Sequence, residues 1–62
     1  GDVYKRQNYA IARFNVAEAI ADDNPRRAIT EYETYLALVE GILEETDRAA
    51  LAQKRVQALK HQ

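Results

Sequence analysis

The chain has no cysteine, a single histidine, one proline and two glycines. Without cysteine there is neither a disulfide framework nor a thiolate metal site, and nothing in thiol usage chooses between cytoplasm and periplasm, so the compartment is left open. The lone His61 stands next to last in the chain, where a helix end frays and a ring is solvated rather than poised as a ligand or base. No Gly-rich phosphate loop, no nucleophile beside a base and no His/Asp/Glu set at ligand spacing is present, so no catalytic residue, metal or cofactor is expected. Uninterrupted apolar runs span only a few residues, against the ~20 needed to cross a bilayer. Nine Lys/Arg stand against ten Asp/Glu, a balance that creates no strong field for nucleic acid or an anionic membrane.

The opening GDVYKRQ is similar to the in-frame translation of a sequencing-library adapter, back-translating as GGA-GAT-GTG-TAT-AAG-AGA-CAG. Residues 1–7 are therefore expected to be a non-native, adapter-derived segment, set aside from functional reasoning. The native reading begins at Asn8. Without the opening segment the charge leans slightly acidic, seven basic against nine acidic residues.

What remains is rich in Ala, Leu, Glu, Arg and Gln, a composition that favours helix throughout. In NYAIARFNVAEAIA, Ala10, Phe14, Ala17 and Ala21 recur at helical spacing, with Tyr9, Val16 and Ile20 in a second stripe beside them. A helix apolar over more than one face calls for more than one neighbour. DDNP ends this run. Asn24 can cap the free N–H groups of a following helix, and Pro25 sits where a missing N–H costs nothing. The second helix carries Ile29, Tyr32, Leu36 and Val39 on one face, flanked by Ala28 and Tyr35, and Gly41 suits the left-handed position that closes it. The third repeats the spacing with Ala49, Ala52, Val56 and Leu59. Acids at its start and Lys60 and His61 at its end complement its dipole, and Glu44 is placed to pair with Arg48 at i,i+4. Short connections make neighbours antiparallel. The expected fold is all-α: an antiparallel hairpin over residues 8–40, followed by a third packing or capping helix within 41–62.

At this point Ala12–Leu38 resembles one tetratricopeptide repeat (TPR), a helix–turn–helix unit that stacks into solenoids. The family's aromatic-Asn-Leu-Gly run reads Phe14-Asn15-Val16-Ala17, and a large residue one turn on matches Ile20. Its small residue at the helix crossing matches Ala28, followed by Ile29. Tyr32 matches the aromatic that packs back between helices, and Leu36 the aliphatic position near the helix end. Four features depart from the pattern. Arg13 replaces a frequent tryptophan, the turn lacks its glycine and is one residue shorter, Tyr35 stands where a small residue is usual, and Glu40-Gly41 replaces the closing proline. The third helix does not restart the repeat and is similar to the polar-faced helix that caps a last repeat.

The resemblance implies an interaction scaffold, non-catalytic, whose first helix faces a ligand. On this chain the family's contact positions fall on Phe14, Asn15, Glu18 and Ala21, and the Asn15 amide could hydrogen-bond a peptide backbone or carboxylate. The implied partners are an unidentified protein or peptide and preceding repeats, with no nucleic acid and no membrane. Packing between helices is expected from Val16, Ala17, Ile20, Ala28, Ile29, Tyr32, Leu36, Val56 and Leu59. Two other readings remain open: a self-associating hairpin used for oligomerisation, and a helical appendage of an upstream enzyme.

Overall fold

The computed structural model describes residues 1–62 and is all-helical. α1 spans Asp2–Ile20, α2 spans Pro25–Leu38, a 3₁₀ turn covers Leu43–Glu45, and α3 spans Thr46–Lys60. α1 runs on through the adapter-like residues as one continuous helix. At 19 residues against 14 for α2 it overhangs the hairpin, and Gly1–Arg6 are exposed. That overhang gives the molecule its length, 38 × 17 × 13 Å.

The punctuation works as its chemistry dictates. Asn24 Oδ1 accepts a hydrogen bond from the Arg27 backbone N–H at 3.2 Å, with Pro25 opening α2. After α2, Gly41 takes φ +81°, a left-handed conformation that glycine enters without steric cost. The chain then turns into Leu43–Glu45, and the Thr46 hydroxyl donates to the Leu43 carbonyl at 2.7 Å.

Partner pairs fix the topology. Glu18 meets Tyr32, Phe14 meets Tyr35, and Gln7 meets Glu45, so separation along the chain grows away from the first turn. α1 and α2 are thus antiparallel. α3 returns beside them, parallel to α1, with Arg48 over the Phe14 ring and Arg55 at Glu18.

The core is built of small residues and aromatic rings. Ala10, Ala17, Ala28 and Ala52 are fully buried, so the helices approach closely where they cross. Phe14 fills the space between them and meets Tyr32 and Tyr35 edge-on, at centroid distances of 5.6 and 5.3 Å. Such edge-to-face pairs add to area burial. Val39 and Val56 close the ends, with Ile20, Ile29, Leu36 and Leu59 half-buried against them. Tyr35, standing where the repeat pattern has a small residue, is one of the two largest fully buried side chains.

Candidate functional site

The four expected contact residues divide. Phe14 is buried under α2 and α3, where no ligand reaches it without the core opening. Its place in the aromatic cluster makes it a packing residue. Asn15, one position on, is exposed. Glu18 and Ala21 come together with Tyr32, Arg55 and Leu59 around an open cleft of about 320 Å³ at the C-terminal end of α1.

Glu18 does not stand free in that cleft. Its Oε1 accepts the Tyr32 hydroxyl at 2.5 Å and the Arg55 Nε–H at 3.1 Å, so one carboxylate on α1 ties α2 and α3 to it. The Tyr32 hydrogen bond holds the Glu18 carboxyl below its ordinary value; burial opposes this, and Arg55 adds to the lowering. Burial, reinforced by Glu18, pushes the Tyr32 phenol up to about 12. Glu18 is thus a structural acceptor first, with its other oxygen left for solvent.

A second carboxylate has the same kind of partners and was not legible as a site. Glu45, one of the acids at the start of the third helix, is 2% exposed. Its Oε1 accepts the Tyr35 hydroxyl at 2.8 Å and Arg48 Nη1 at 2.7 Å, while Oε2 accepts Gln7 Nε2 at 2.9 Å. The expected Glu44–Arg48 pair is accordingly replaced by Glu45–Arg48, at i,i+3. The 3₁₀ turn explains the choice, because it rotates Glu45 inward and leaves Glu44 exposed. Burial alone would favour the neutral acid, but the hydrogen bonds from Arg48, Tyr35 and Gln7 outweigh it and lower the carboxyl's pKa. Desolvation, with Glu45 alongside, raises that of Tyr35.

Asp22 lines the same cleft as Glu18, and no group of three His, Cys, Asp or Glu side chains is placed to hold a metal ion. No helix is long and apolar enough to cross a membrane.

The uncovered surface lies on the outer side of α1. Tyr9, Ala12, Val16 and Ala19 share that face by helical spacing. Tyr9 is 56% exposed, Ala12 and Ala19 are exposed, and Val16 is half-buried. The Arg13 guanidinium lies 5.5 Å from the Tyr9 ring centroid and reaches Glu31 on α2 at 3.5 Å, bordering the stripe on its α2 side. Of the second stripe read from sequence, Ile20 turns toward the core while Tyr9 and Val16 stay outside it. Comparison with protein-family models, curated proteins and solved structures finds no match for this chain.

Proposed function

We propose that the chain is a non-catalytic protein–protein interaction module, the terminal part of a TPR-type helical solenoid. One hairpin of that type is followed by α3 as its cap. The observation that carries this reading is the asymmetry of α1. Its inner face is packed through fully buried alanines, while its outer face leaves Tyr9, Ala12 and Ala19 exposed and Val16 half-buried. Small residues alternating with a ring and a branched side chain let another helix lie close, and stacked repeats bury such faces against one another. A preceding hairpin is the partner for that stripe. A protein or peptide ligand is the partner for the side of α1 that carries Asn15.

The test is duplication. Residues 8–41 placed once more ahead of the chain supply the missing neighbour, and 34 residues is the repeat length of this family. The doubled protein is expected to melt in a single transition about 10 °C or more above the parent, because each added interface stabilises both repeats. Two separate transitions, or an unchanged midpoint, contradict stacking. The oligomerisation reading is distinguished by sedimentation: a self-associating hairpin forms a defined dimer that the tandem chain no longer forms.

A further inference from the structure

On the side of the hairpin away from α1, the end of α2, the connection after it and the first turns of α3 enclose a larger open groove of about 520 Å³. No residue of α1 contributes to it. Leu36, Val39, Ile42 and Leu43 form apolar walls, and Ala49 and Ala50 give a low floor. Leu43 is 85% exposed, the most exposed large apolar side chain in the molecule, and stands on the rim.

Acids outnumber unpaired bases beside this groove, where Lys54 follows Gln53. Glu40 lines it, Glu44 follows Leu43, and Asp47 follows Thr46. No Lys or Arg lines it. Elsewhere Glu18, Glu31, Glu33 and Glu45 each have an ion-pair partner, while Asp2, Asp22 and Asp23 have none. Glu40, Glu44 and Asp47 have none either. An apolar trough with unmatched carboxylates gathered at one end is complementary to a ligand with apolar knobs and a cationic end.

We propose that this groove receives an amphipathic helix of a partner protein, its apolar side chains at i, i+3 or i+4, and i+7 in the trough. Lysines or arginines at one end of that helix lie over Glu40, Glu44 and Asp47. A helix fits better than an extended strand. The groove lies between helices and a short connection and offers no sheet edge, whereas an incoming helix satisfies its own backbone. The site is separate from the outer face of α1 and stands whether or not the chain belongs to a solenoid.

The experiment uses the full chain and two fluorescein-labelled synthetic peptides. One is a helical Leu/Ala peptide with leucines at the stated spacing and lysines gathered at one end. The other has glutamates in place of those lysines. By fluorescence anisotropy in low salt, the lysine peptide is expected to bind at least about tenfold more tightly than the glutamate peptide. Leu43→Ser, at an exposed position, should weaken the lysine peptide about tenfold. The triple change Glu40→Gln, Glu44→Gln and Asp47→Asn should abolish discrimination between the two peptides. Circular dichroism melts check that the variants keep the parent fold. Equal binding of the two peptides, or an affinity unaffected by Leu43→Ser, overturns the proposal. A dimer in sedimentation that Leu43→Ser dissolves also overturns it, by giving the groove to a second copy.

Discussion

The two ends of α3 are fastened to the hairpin by the same three groups: a carboxylate, a tyrosine hydroxyl from α2 and an arginine from α3. Near its start the carboxylate is Glu45, with Tyr35 and Arg48; further along it is Glu18, with Tyr32 and Arg55. The surroundings differ. The Glu45 side chain is 3% exposed, against 35% for Glu18. A fourth donor, Gln7, closes the coordination of Glu45, while the second oxygen of Glu18 is left to water. Identical chemistry therefore acts in two dielectric settings. In the buried one, loss of a partner strands a charge; in the open one, water replaces whatever is lost.

The largest expected effect comes from breaking the buried cluster on its cationic side. Arg48→Ala leaves the Glu45 carboxylate without its counter-charge and should cost about 3 kcal/mol in denaturant unfolding. A loss under about 1 kcal/mol would mean that water reaches Glu45 and the contrast is false. Next comes a change in the crossing of α1 and α2, outside both clusters. Ala28→Leu should overpack a fully buried position by about 1–3 kcal/mol, and a neutral result would place Ala28 outside the contact. The tyrosine pair then sharpens the comparison. Tyr35→Phe takes one donor from a buried carboxylate and should cost about 1–2 kcal/mol, more than Tyr32→Phe, whose acceptor can turn to solvent. Equal losses would erase the distinction.

Smaller, but directional, are the effects of pH. Glu18 and Glu45 both have folded pKa values below the ordinary 4.5. Their contribution is complete above 4.5 and is lost as pH falls below that value through the lowered folded pKa. Tyr32 runs the other way: raised from 10.0 to about 12, it contributes fully below 10.0 and loses that contribution as pH rises toward 12. Unfolding followed across pH should therefore show stability falling at both extremes. A stability that rises between pH 4.5 and 3 would contradict the carboxylate account.

The helices were legible because their signals are periodic or local. Ala10, Phe14 and Ala17 recur on one face, Asn24-Pro25 carries its own capping chemistry, and Gly41 is where a left-handed residue is needed. Those signals act within a turn or two of helix. Glu45 was not legible, because Glu44 and Glu45 are chemically identical neighbours and only the rotation of the 3₁₀ turn selects which enters the core. Nor was the role of Gln7, whose partner lies 38 residues away. Phe14 carries two signals, an apolar stripe that points to the core and a repeat position that implies ligand contact, and which one holds depends on where α3 lands. Glu18 was assigned to ligand contact for the same reason, since its acceptors' partners come from two other helices.

Native-state hydrogen exchange tests most directly whether α3 is an integral wall of this core or an appendage beside a self-sufficient hairpin. With both carboxylate clusters formed, the amides around Ala52 and Val56 should exchange with the same free energy as those around Phe14 and Tyr32, in one cooperative opening. If the α3 amides exchange freely while α1 and α2 remain protected, the clusters do not hold that helix and the account fails.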